Sequence, residues 1–249
     1  MTTCWVFYDN YVHDNNDPNV PTAGSAAAGP VGTGMSLSGA RNDTVKDNVF
    51  ANNGAWGTIL VPYPDSGPPC TGGTMTPDGT CIFDEFGDAI IDNTYANNGS
   101  FGNPTNGDIG AVNFEPGPTD CFHFNQDENG LTTSPPLAQL LYPACTGMTV
   151  PPDANALFAD EVACDSGSIS LVGPVQGSTL CPPTAKYPRQ TRVEMHALPG
   201  ATVGTWNGQP VPPIENPSSA TELTTDPNPC FNASGARTVP VNPWCPTTR

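Results

Sequence analysis

Hydrophobic residues come in short runs in which apolar side chains alternate with small or polar ones. Gly34-Met35-Ser36-Leu37-Ser38, Gly57-Thr58-Ile59-Leu60-Val61 and Asp108-Ile109-Gly110-Ala111-Val112 are three such runs. A period of two predicts short strands with one buried face. Each run follows a polar segment with the pattern D-N-x-[VFY]-x-[DN]-N, at residues 9–15, 47–53 and 92–98. The second and third copies continue alike, as Gly54-Ala55-Trp56-Gly57 and Gly99-Ser100-Phe101-Gly102, and a weaker fourth copy sits at residues 121–125. Successive starts lie 38, 45 and 32 residues apart, so the frame repeats while inserts rich in Gly and Pro, such as residues 17–33 and 62–80, absorb the difference.

Short strands, Asn-Gly turns and inserts on a fixed frame predict a stack of β-coils. Equivalent residues of stacked strands lie about 4.8 Å apart, so a buried Asn recurring at one turn can bond to the Asn above and below it. Asn10, Asn48 and Asn93 are the expected members of that ladder, since a lone buried amide would cost roughly 1–3 kcal/mol. Asn and Gly also tolerate the left-handed backbone of tight corners.

The N-x-F-x-N-N-G…G-I-x-L style of coil resembles the parallel β-helix repeat of the pectin-lyase-like fold over residues 5–134. That resemblance implies an all-β, right-handed parallel β-helix of the kind found in exported carbohydrate-active and surface proteins. The division expected is residues 1–134 as C-terminal coils of such a helix and 135–249 as a Pro- and Cys-rich capping tail. In the tail, residues 134–142 read as one or two helical turns with Ser134 as N-cap. Residues 153–165 read as a second short helix capped by Asp153, and residues 193–198 as an edge strand. The remainder from Pro199 reads as extended chain lying against the stack.

Charge then narrows the partners. The chain of 249 residues has a formal net charge of −17, and none of its seven basic residues lies between Asp47 and Ala185. Nothing there would displace counterions from phosphate, so nucleic acid and anionic membrane surfaces are not expected partners. Neutral polysaccharides or cell-surface glycans remain as partners, with cations and basic proteins also open, and a monomer is expected. No run approaches the 18 apolar residues of a membrane span.

Nine cysteines without a C-x-x-C point to an oxidising compartment, and no metal ligand set is expected from them. Loop closure suggests the neighbouring pairs Cys70–Cys81, Cys121–Cys145, Cys164–Cys181 and Cys230–Cys245, with Cys4 left over. The N-terminus shows no charged region followed by an apolar run, so no signal peptide is read there. A secreted or cell-surface protein is expected nonetheless, with the leader and the partner of Cys4 upstream of Met1.

Candidate chemistry rests on acids. Asp84, Glu85, Asp88, Asp108 and Glu115 fall in the second and third coils, and paired carboxylates of this kind serve as acid and base in glycoside hydrolysis. Asp84, Asp88, Asp108 and Glu115 are the catalytic candidates, for a polysaccharide hydrolase or lyase. The resemblance also implies sites that this chain lacks. Lyases on the fold use an Arg or Lys base beside calcium carboxylates, yet the coils hold only Arg41 and Lys46. The N-T-D, D-D, G-H-G and R-I-K set of polygalacturonases is absent. Residues 125–130, Asn-Gln-Asp-Glu-Asn-Gly, resemble the start of a calcium loop, but the twelfth position is Pro136 rather than Glu. No cofactor other than calcium is suggested. Tyr63, Trp56 and Phe101 are the candidate sugar-stacking aromatics, although equivalence in the repeat also predicts that Trp56 and Phe101 stack on each other. A structural or adhesive scaffold is the competing reading.

Overall fold

The computed structural model describes residues 5–19, 30–65, 69–145, 149–150, 155–166, 186–188, 205–206 and 209–210. Its centre is three parallel sheets of four strands each. Val6–Tyr8, Thr44–Lys46, Ala89–Ile91 and Cys121–His123 form the first sheet. Tyr11–His13, Val49–Ala51, Thr94–Ala96 and Gln126–Asp127 form the second. Thr33–Ser38, Trp56–Val61, Gly107–Ala111 and Thr133–Ser134 form the third. The chain visits the three sheets in the same order four times, which gives four tiers. Paired residues in adjacent tiers are offset by the repeat spacings of the sequence, Val12 lying opposite Phe50 and Phe50 opposite Tyr95.

The strands of the first two sheets are mostly three residues long, so each presents one central side chain inward. Val45, Ile90 and Phe122 fill the interior from the first sheet, and Phe50 and Tyr95 from the second. Phe50 and Tyr95 stack ring on ring between tiers, with centroids 5.2 Å apart. Leu37, Leu60 and Ile109 close the core from the third sheet. Each such side chain contributes roughly 1.5–3 kcal/mol by leaving water.

The turn between the first and second sheets places Asp9, Asp47, Asp92 and Phe124 in the left-handed region, with φ between 54° and 57°. Asp tolerates that conformation because its short polar side chain bonds locally. Phe124 has no such compensation and stands exposed.

The second-tier strand of the third sheet is buried on both faces. Every residue of Trp56–Val61 is buried, and its outward side chains Ile59 and Val61 pack under the helix Ala156–Ser166, against Phe158, Ala159 and Val162. A Cβ on Gly110 would come within 2.2 Å of the Phe158 ring, so the small residue there admits the helix. Asn155 fastens the helix start to the sheet, its Nδ2 donating to Ala111 O at 3.1 Å and Ser134 Oγ at 3.0 Å.

That bond explains one departure from expectation. Ser134 does not cap a helix: it pairs with Gly110 in the last strand of the third sheet, and its hydroxyl serves Asn155. The helix that follows is the single turn Ala138–Leu141, entered through Leu137 at φ 63° without a side-chain cap. It lies across the fourth tier, where Ala138 is buried and Tyr142 O accepts from Phe122 N at 2.8 Å. The second expected helix is Ala156–Ser166; Asp153 lies outside the described residues.

The insert at residues 62–80 carries a small antiparallel sheet of Tyr63–Asp65, Cys81–Phe83 and Thr74–Met75. Cys70–Cys81 and Cys121–Cys145 are disulfides, as expected from loop closure. Cys164 is also disulfide-bonded; Cys4, Cys181, Cys230, Cys245 and the strand expected at 193–198 lie outside the described residues. Among the described residues no helix is long and apolar enough to cross a membrane.

By internal contacts the chain forms two compact units, Met1–Val193 and Glu194–Arg249. The parallel sheets end at Ser134, where the sequence suggested a division, but the helix Ala156–Ser166 belongs to the first unit's core. In the second unit Thr205–Trp206 pairs antiparallel with Gln209–Pro210.

Candidate functional site

Polar side chains run down all three corners of the stack. At the first corner, between the first and second sheets, Asn10, Asn48, Asn93 and Asn125 form a continuous column. Each donates its main-chain N–H and its Nδ2 to the Oδ1 of the next, at 3.0–3.1 Å. Gln139 of the capping turn ends the column, its Oε1 accepting from Asn125 N at 2.8 Å. At the second corner Asn15, Asn53 and Asn98 repeat the arrangement. At the third, between the third and first sheets, the column is acidic: Trp5 N donates to Asp43 Oδ1, Asp43 N to Asp88 Oδ1 and Asp88 N to Asp120 Oδ1, at 2.8–2.9 Å.

Only the first column was anticipated, and only through three members. The signal for the others is a spacing of five residues: Asp43, Asn48 and Asn53 in one tier, Asp88, Asn93 and Asn98 in the next, and Asp120 with Asn125 in the last. A three-residue strand plus a two-residue corner makes that period, so side-chain oxygens five apart mark successive corners.

The candidate carboxylates fall into this framework. Asp88 is fully buried in the acidic column. Asp84 is buried beside it, both of its oxygens accepting from Phe114 N at 3.2 Å. Glu85 is fully buried as well, and no other residue donates to its carboxylate oxygens. Asp108 lies apart, at the second corner, where it accepts from Asn98 Nδ2, Thr132 N and Thr132 Oγ1 at 2.8–3.0 Å. Glu115 is half-buried and accepts from Thr74 Oγ1 of the insert sheet at 2.5 Å. Burial pushes Asp84, Asp88 and Asp108 above the usual carboxylate range, Asp88 to about 7.

No family model matches the chain, nor does any curated protein or solved structure. The reading of the site therefore rests on its geometry.

Among the aromatic candidates, Trp56 is a correction. It is wholly buried, donates Nε1–H to Thr105 O at 2.8 Å and meets Phe158 edge to face at 5.5 Å, so no sugar reaches it. Nor does Phe101 stand in register with it. Trp56 lies opposite Gly107, because the third tier inserts extra residues before its strand. The Phe101 ring instead covers Gly54, where a Cβ would meet it at 2.2 Å, and lies nearly perpendicular to the Tyr187 ring. Tyr63 is 41% exposed on the insert sheet.

Two surface aromatics were missed. Tyr11 is 60% exposed and stacks on His13 at 4.2 Å on the outer face of the second sheet. Phe124 stacks on His123 at 4.8 Å. Alternation around Val12 is the pattern that places Tyr11 and His13 outward together.

The segment at residues 125–130 is built as a corner. Asn125 Oδ1 is taken by Asn93, and Asp127 closes a turn by accepting from Asn129 N at 2.6 Å. Among the described residues no three His, Cys, Asp or Glu side chains are grouped to hold a metal ion. A shallow apolar groove of about 500 Å³ lies at the capping turn, between Leu131, Leu137 and Leu140, and none of the candidate carboxylates lines it.

Proposed function

We propose that this chain builds an extracellular right-handed parallel β-helix whose role is structural or adhesive, with no reaction centre among the described acids. The observation that carries this reading is the engagement of the candidate carboxylates: Asp84, Asp88 and Asp108 are buried and hold main-chain or side-chain N–H and O–H groups of neighbouring tiers and turns. A hydrolytic pair must reach a glycosidic bond, and buried ladder acids do not. Right-handed winding is supported by the handedness of connections between parallel strands of one sheet, right-handed in about 98% of cases. The three parallel sheets visited in turn support kinship with the pectin-lyase-like fold, and the disulfides support an oxidising, extracellular setting.

A second reading, binding of neutral glycans without cleavage, is favoured by the exposed rings of Tyr11 and Tyr63. Rings of this kind stack on sugar faces, and the low density of basic residues suits an uncharged ligand. A glycan-array screen with reducing-end release assayed on every hit separates the readings. The expected result is no release from any polysaccharide. Should binding occur, Tyr11→Ala or Tyr63→Ala is expected to reduce it at least tenfold, with stability changed by less than about 0.5 kcal/mol because both rings are exposed. Release that Asp84→Asn abolishes in a folded variant would overturn the non-catalytic reading.

A further inference from the structure

The acidic corner departs from the other two in one chemical respect. In the Asn columns every Oδ1 beyond the first tier receives two hydrogens from the tier before it. Asn93 Oδ1, for example, accepts from Asn48 N and Asn48 Nδ2, both at 3.0 Å. The Asp column keeps the main-chain bond of each step, Asp43 N to Asp88 Oδ1 and Asp88 N to Asp120 Oδ1. Where the amide nitrogen would stand there is a second carboxyl oxygen, and an ionised one has no hydrogen to give. Asp88 Oδ2 is buried without a donor. Beside it Glu85 is wholly buried, no other residue donates to its oxygens, and the charges bearing on it are those of Asp120, Asp84 and Asp88. Among the described residues Arg41 is the cation that bears on the corner; its Nε donates to Asp84 O at 3.2 Å and its guanidinium lies over the Phe86 ring. Glu115 adds its charge from the Asp84 side.

We propose that the Asp43–Asp88–Asp120 column is a proton-carrying ladder, in which a carboxyl O–H of one Asp donates to the Oδ1 of the next in place of the amide of the Asn columns, with Glu85 beside it as a neutral acid. The stack is thereby closed by protons at one corner and by amides at two. Ionisation removes the donors and sets like charges one above another at strand spacing.

The acidities agree in direction. Burial, and then the Asp88 charge, raise Asp120 to about 8. Burial raises Asp88 to about 7, with the Asp43 charge adding to it and the bond from Asp43 N opposing. Burial holds Glu85 well above its ordinary range, and Asp43 also lies above its own. Groups whose folded pKa is raised bind protons that the unfolded chain has already released. Their contribution is therefore complete below about pH 4 and is lost as pH climbs through about 7 to 8. The corner holds in acid and loosens in alkali.

The test is thermal unfolding from about pH 5 to about pH 9 of the whole chain, of Asp88→Asn with Asp120→Asn, and of Asp9→Asn with Asp92→Asn. The last pair makes the same charge change on exposed turn residues. The wild-type Tm is expected to fall by on the order of 10 °C across that range. The buried pair should fall by less than half as much, since its amides donate at every pH, and the exposed pair as much as the wild type. A wild-type Tm that is flat or rises with pH, or a buried pair as steep as the wild type, would overturn the proposal. Infrared spectroscopy of the wild type gives a second reading that needs no variant. A protonated-carboxyl C=O band is expected at about pH 6, lost by about pH 9, and its absence at the lower pH would equally overturn the ladder.

Discussion

Replacing Asn93 with Ala is expected to destabilise the fold by about 3–5 kcal/mol, read as a lowered midpoint in urea at unchanged slope. Asn93 is fully buried at the centre of the first column. Its Nδ2 donates to Val45 O, Ile91 O and Asn125 Oδ1 at 2.9–3.0 Å, and its Oδ1 accepts twice from Asn48. The substitution removes all of these bonds and leaves Asn48 N without an acceptor in a dry interior. A typical bond is worth about 1 kcal/mol, but a stranded buried group costs about 1–3 kcal/mol by itself. Asn10→Ala should cost clearly less, because Asn10 is half-buried in the first tier and no described tier donates to it. A loss below about 0.5 kcal/mol for Asn93→Ala would mean that the side chain faces solvent and that the tier register is wrong.

Trp56→Ala is the second large effect, expected at about 3–5 kcal/mol and, for a chain of this size, a fall in Tm on the order of 10 °C. The indole is wholly buried where the third sheet, the helix Ala156–Ser166 and Tyr187 meet, and its N–H is bonded to Thr105 O. Truncation opens a cavity, strands that carbonyl and loosens the helix from Ile59 and Val61. Had Trp56 been a sugar platform, the same variant would keep its stability and lose only binding. Thermal unfolding of the variant separates the two.

Much of the central stack was legible because the repeat encodes corners. Offsets of 38, 45 and 32 residues between Asn10, Asn48, Asn93 and Asn125 are the offsets of the hydrogen bonds that join them. What escaped attention has physical reasons. The alternation read into Gly57–Val61 assigned one buried face, whereas Ile59-Leu60-Val61 is a continuous apolar run, the mark of a strand covered on both sides. The covering helix therefore had no foreseen seat. The acids looked catalytic because carboxylates recurring beside short strands suggest a groove. Asp43 and Asp120 were passed over although they share the column with Asp88. Phe101 was misaligned because counting from Asn-Asn-Gly ignores the loop at residues 101–106 that delays the third-tier strand. Exposed aromatics such as Tyr11 and Phe124 lie on residues whose neighbours, rather than whose identities, turn them outward.

Side-chain oxygens at three corners hold the tiers together, and native-state hydrogen exchange reads that out amide by amide. The amides of Asp43, Asn48, Asn53, Asp88 and Asn93 donate to side chains of the next tier rather than to any strand partner. They are expected to exchange only through global unfolding, with the same free energy as the central strand amides. Exchange at these five positions as fast as at exposed turn amides such as Gly72 and Glu128 would mean that the corner side chains do not hold the tiers.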